Sequence, residues 1–236
     1  MRIALTRPQA DGERSASILR AQGHDVLVAP LMRIEPVAAD LSGDWSAVIV
    51  TSANAPEAIA GNPQRKALLH LPVFAVGGRS AEAARAAGFD KIASADGDAV
   101  ALVQLIARQP RTPTPMLYLA GETQAADVVG ELARRGIAAA MRIVYRAVTA
   151  PFPAALTDAL RSASLDMVLH YSKRSAENFI ARAREAKVER EAFALQHLCL
   201  SAQVAAPLQD AGAPHIAVAK HPDEAALIEL LRASCR

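Results

Sequence analysis

The chain is poor in the residue types that announce most chemistries. It has two cysteines and one tryptophan in 236 residues, and aromatic side chains make up only 4%. Cys199 lies in an apolar run, Cys235 stands next to the end, and neither belongs to a CxxC. At most one disulfide can form, and two reduced thiols fit an intracellular chain better. The histidines at 24, 70, 170, 197, 215 and 221 show no HxxxH and no His/Cys spacing, so no metal is expected. Glycine fingerprints are missing as well. VGGRSAEAARAAG has neither GxGxxG spacing nor a Lys-Ser/Thr pair, and no GxSxG occurs, so no nucleotide cofactor and no hydrolase elbow are expected. No apolar run is long enough to span a membrane, and MRIALTRPQADGERS lacks a signal-peptide core. A cytoplasmic chain with no membrane partner is expected. Neither sign of charge dominates: 26 Lys and Arg face 24 Asp and Glu, a net charge of +2. The densest basic stretch, Arg182 to Arg190, is interleaved with Glu185 and Glu189, which argues against a nucleic-acid partner.

What the chain does have is apolar content, 52%, arranged in short runs that alternate with helical patterns. RIALTRP precedes a helix through Ala10 to Gln22, and SAVIVTSA precedes one from about Ala55. Strands that cross over through helices make parallel sheets, and unbroken apolar runs such as AVIV and DMVLHY fit strands covered on both faces. The class is α/β.

The chain also echoes itself. VIVTSANAPEAI laid over VLHYSKRSAENF puts Ser52 on Ser172 and Glu57 on Glu177. VFAVGGRSAEAARAAGF lies over HLCLSAQVAAPLQDAGA with Gly88 on Gly212, and the opening ALTRPQADGERSASILRAQG resembles LYLAGETQAADVVGELARRG. PLMRIEPV and MRIVYRAV look like matching extended segments. If they pair, residues 1–34 with 148–236 form a discontinuous α/β domain, 38–142 form a second, and 33–37 with 142–147 form a ladder between them. The alternative is a tandem split near Pro110 to Pro115, a proline-stiffened stretch that also works as a loop.

Five predicted strand ends carry small polar residues ahead of a helix: Thr6 to Gln9, Thr51 to Asn54, Gly77 to Ser80, Ser172 to Ser175 and Ser201 to Gln203. Ligands of open parallel sheets collect at such ends, where helix amino termini attract anions. Each site can equally be a helix cap; Asn54 with Glu57, for example, reads as a capping box. Counted together, the sites fit a large ligand with many carboxylates or phosphates. Tyr145 in RIVYRA is a candidate proton donor, because a phenol keeps its proton at neutral pH. It can also be a strand tyrosine packed half in. Tyr171, beside Ser172, competes for the same role.

With TRP at 6–8, PLMRIEP at 30–36, VIVTSANAPEAI, VGGRSAEAARAAGF, MRIVYRA and VLHYSKRSAENF in this order, the chain resembles the uroporphyrinogen-III synthase family over nearly its whole length. The resemblance implies two flavodoxin-like domains joined by a two-stranded ladder, with substrate in the cleft between them. It implies a cofactor-independent cyclising lyase that turns hydroxymethylbilane, a linear tetrapyrrole polycarboxylate, into uroporphyrinogen III, with loss of water and inversion of the last ring. It further implies a monomer, with Tyr145 as the acid. Thr6, Arg7, Thr51, Ser52, Asn54, Gly77, Ser80, Tyr171, Ser172 and Ser201 are the expected substrate contacts. Ser201 stands where the family has glycine, Val204 where a ligand-facing threonine is usual, and Ser80 where threonine is commoner. A non-catalytic two-domain binding protein or sensor of the same fold is the competing reading, and a methyltransferase or reductase is a weaker third.

Overall fold

The computed structural model describes residues 1–234, so Cys235 lies outside the described residues. The elements run β1 Arg2–Leu5, α1 Gln9–Ala21, β2 Asp25–Val28, β3 Met32–Pro36, β4 Val48–Val50, α2 Asn54–Ala58, α3 Arg65–Leu68, β5 Val73–Ala75, α4 Gly78–Ala86, β6 Ile92–Ser94 and α5 Ala99–Ala107. They continue with β7 Met116–Gly121, α6 Val128–Ala133, β8 Ala139–Thr149, α7 Ala154–Arg161, β9 Met167–His170, α8 Lys173–Glu185, α9 Glu189–Phe193, β10 Gln196–Cys199, α10 Ala202–Asp210, β11 Ile216–Val218 and α11 Glu224–Ser234. They gather into two compact units: unit 1 is Met1–Arg33 with Val148 onward, and unit 2 is Ile34–Ala147. The Pro110 to Pro115 stretch is a loop inside unit 2.

One sheet has the order β11-β10-β9-β1-β2, with every neighbour parallel. The other has the order β3-β8-β7-β4-β5-β6 and is parallel from β8 to β6. Counted along the chain, unit 1 follows the flavodoxin order, whereas β4 to β8 of unit 2 follow the Rossmann half order. Counted from β9 and returning through β1 and β2, unit 1 acquires the order of unit 2. The two sheets are therefore one arrangement entered at two points, and the sequence echo pairs β4 with β9, β5 with β10 and β7 with β1.

Both faces of each sheet are covered, which is why the strands read as unbroken apolar runs. In unit 2, Val48, Val50, Leu117 and Leu119 pack with Ile59 and Phe89 on one face, while Ile49, Tyr118 and Ala120 pack with Leu102, Ile106 and Leu132 on the other. In unit 1, Ile3, Leu5 and Leu169 meet Leu19 and Leu227, and on the opposite face Ala4 and Val168 meet Leu160 and Phe179. Gly88 and Gly212, matched in the echo, end α4 and α10 at φ of 89° and 83°, the left-handed geometry of a helix stop.

The histidines do not all stay as scattered as they are in sequence. Pairing of β9 with β10 brings His170 Nε2 to 3.1 Å from His197 Nδ1, with the rings stacked and both residues fully buried. Burial holds both imidazoles below their ordinary value, His197 at about 4. Among the described residues no group of three metal-ligating side chains forms, and no helix is long and apolar enough to cross a membrane.

Candidate active site

In unit 2, β8, β7 and β4 are parallel neighbours, so their carboxyl ends share one edge of the sheet. Between β7 and β4 the strand order reverses, the place where an open α/β sheet leaves a crevice. A cavity of ≈ 270 Å³ lies there, lined by Thr51, Ser52, Tyr118, Gly121, Gln124 and Tyr145 among others. Three expected site residues, from two distant stretches of sequence, thus meet in one place. Thr51 Oγ1 and the Tyr118 hydroxyl are hydrogen-bonded at 2.8 Å. Burial raises the Tyr118 phenol above its ordinary value, and the bond to Thr51 works the other way. Ser52 Oγ accepts from the Asn54 N–H at 3.2 Å. Tyr145 is half-buried on β8 and stands opposite Gly121, next to a register shift in the ladder.

Unit 1 fills its matching place differently. Arg7 follows β1 and Tyr171 follows β9, and the guanidinium lies 4.0 Å above the phenol ring. Arg7 donates to Ser15 Oγ at 2.8 Å and to Glu224 Oε1 at 3.0 Å, with Asp11 at 3.9 Å. Burial pushes the Tyr171 phenol up to about 12, although Arg7 opposes the shift. A phenol held that firmly is a poorer acid. Thr6, expected to face a ligand, is instead 1% exposed and bonded to Ser175 Oγ at 3.2 Å. Ser172 caps α8 by accepting from the Ser175 N–H at 3.1 Å.

Two other expectations, an Asn54 capping box and a ligand-facing Ser80, need correction. Asn54 forms no capping box: Ala53 holds the cap position without a side-chain bond, and α2 is only five residues long. Ser80, expected at the ligand, is 4% exposed inside α4, whereas Gly77 stands at that helix's cap in an extended conformation. Ser201 caps α10 without a side-chain bond. Val204, already noted as a departure from the threonine usual at this position, packs into the core with Ala176 and Leu208. Tyr118, Gly121 and Gln124 escaped sequence reasoning. The signal available was a tyrosine inside the apolar run MLYLAG, whose hydroxyl needs a partner when buried.

The family profile described as Uroporphyrinogen-III synthase HemD (HEM4) matches residues 13–229. Among curated proteins none matches the chain by sequence. Similar solved structures include uroporphyrinogen-III synthetase from Helicobacter pylori 26695, at 20% identity and a TM-score of 0.67 over 100% of both chains. A mutant uroporphyrinogen III synthase from the extremely thermophilic bacterium Thermus thermophilus is 16% identical with a TM-score of 0.51, covering 100% of this chain and 98% of that one. At such identities these likenesses speak for the fold alone. The profile match spans most of the sequence and speaks for more: the chain belongs to the uroporphyrinogen-III synthase family.

Proposed function

We propose that this chain closes hydroxymethylbilane to uroporphyrinogen III at the carboxyl edge of the unit 2 sheet, with Tyr145 as the acid. The observation that carries the assignment is the meeting of the Tyr145 phenol with Thr51 and Ser52 in one small cavity of a chain from this family. The terminal hydroxyl leaves as water when the phenol protonates it and the C–O bond breaks, with the electron-rich pyrrole supplying electrons to the carbon left behind. Ring closure then expels a proton from a pyrrole carbon, and the phenolate recovers it, so the acid is regenerated. Thr51 and Ser52 offer hydroxyls to the substrate's polar arms. The remaining catalysis is positioning, which holds a flexible chain in the one shape that closes with inversion.

On this reading the reaction uses no metal, nucleotide or folate, and the protein works as a cytoplasmic monomer with no nucleic-acid partner. Tyr171 is not the acid on this reading, because its hydroxyl is buried and burial holds its proton. The test is isomer analysis of porphyrin oxidised from fresh hydroxymethylbilane treated with the protein. Type III product supports the assignment. Exclusive type I product, the isomer that uncatalysed closure yields, rejects it.

A further inference from the structure

Gly121 is a glycine whose backbone does not demand one. Its φ is not among the left-handed values of the described residues, which among glycines fall at Gly23, Gly43, Gly88, Gly136 and Gly212. Space is the other reason for a glycine in a strand, where it lets another group approach the backbone closely. A Cβ at this position would sit 2.6 Å from Tyr145 Cζ, 2.8 Å from Cε2 and 2.8 Å from the hydroxyl oxygen. All three nearest atoms thus belong to the reactive end of the phenol. Such separations lie inside van der Waals contact, so the ring or the strand must move.

The strand is held on both sides of that contact. The Glu122 N–H donates to the Tyr145 carbonyl at 2.9 Å, and the Gln124 side-chain amide donates to the Gly121 carbonyl. Gly121 and Tyr145 are register partners beside the shift in the ladder, so their Cα positions are coupled. The ring, half-buried against the core and carried on rotatable bonds, yields more readily than the bonded strand. It would swing away from the β7 end, taking its hydroxyl with it.

We propose that Gly121 is a positioning residue for the reaction: its missing side chain is the slot that fixes where the Tyr145 hydroxyl stands in the cavity. The inference rests on Tyr145 acting as the acid. An ångström of misplacement at a reacting group costs ~100-fold in rate.

The experiment is a double-mutant cycle of Gly121→Ala and Tyr145→Phe, reading type III formation from fresh hydroxymethylbilane together with thermal unfolding. Gly121→Ala is expected to lower kcat by the ~100-fold that loss of a general acid costs, with KM little changed. In the double variant the rate should equal that of Tyr145→Phe alone, because a displaced ring without a hydroxyl has nothing left to misplace. A glycine needed only for stability would instead add its own loss, so a double variant markedly slower than Tyr145→Phe overturns the proposal. Gly121→Ala at wild-type rate beside an impaired Tyr145→Phe also overturns it. A fully active Tyr145→Phe removes the acid assignment itself, and this inference falls with it. Should Gly121→Ala fail to fold, Gly121→Ala with Tyr145→Ala decides the point: recovered folding supports the slot, and continued failure overturns it.

Discussion

The two units carry one sheet arrangement and treat the same place in it in opposite ways. Where β4 and β7 end, Thr51, Ser52 and Tyr145 frame a cavity of ≈ 270 Å³. Where β9 and β1 end, Arg7, Ser15, Tyr171 and Glu224 bond and stack with one another. A guanidinium fork is well suited to a substrate carboxylate, but this one already has a carboxylate at 3.0 Å. The cores differ at matching positions too: unit 2 has Val50 and Val73 where unit 1 has the buried pair His170 and His197. A strand end in a doubly wound sheet is thus a place for a site without being one. The side chains that reach it from elsewhere in the chain decide whether it stays open.

The largest effect expected from breaking this comparison is on chemistry. Tyr145→Phe should slow type III formation ~100-fold, about 2.7 kcal/mol on the barrier, with folding kept because the ring still fills its place. Tyr171→Phe in the same assay should stay near wild type, and equal losses would erase the distinction between the two places.

Next comes the pH-dependent stability contributed by the buried histidine pair of unit 1. His170 and His197 are neutral in the fold, while in the unfolded chain each titrates near 6.5. Between that value and the folded value of about 4 for His197, the unfolded chain binds more protons. For His197 this stability is complete well above 6.5 and falls as pH drops, by about 2 kcal/mol near pH 5, and His170 adds a loss in the same direction. Denaturant unfolding across this range should show the slope, and His170→Val with His197→Val should flatten it. An unchanged slope in that variant would place the proton uptake elsewhere.

Smaller effects should follow at the polar groups. Arg7→Met takes the cation from Glu224, which keeps the Ser15 hydroxyl as donor, and because Glu224 is partly open to solvent the loss should be about 1 kcal/mol in unfolding free energy. An unaltered midpoint would mean that the cluster is only crowding. Smallest is the cap pair: Ser172→Ala should cost about 1 kcal/mol by freeing the Ser175 N–H, and Ser52→Ala should cost less, since its bond to Asn54 serves a helix of only five residues. Equal midpoint shifts would make the two serines equivalent caps.

Much of the fold was legible in the sequence, because parallel strands covered on both faces read as short apolar runs, and the permuted relation of the sheets is already contained in the echo. The site was legible only at Thr51, Ser52 and Tyr145. Small polar residues after a strand look alike in sequence whether they point to solvent or inward, so Thr6 and Ser80 gave no sign of their burial. Arg7 reads as a free cation until its partner, 217 residues further along, is brought beside it. Tyr118 was hidden by its apolar neighbours, and the glycine that ends β7 carried no mark of the ring lying against it.

The central claim is that this chain enforces inversion of the last ring, and the isomer ratio reads that directly. Purified protein given freshly generated hydroxymethylbilane, without metal, nucleotide or folate, should yield type III porphyrin after oxidation, with the type III fraction rising with enzyme concentration. Folded protein that leaves only the type I isomer at every concentration would contradict the account.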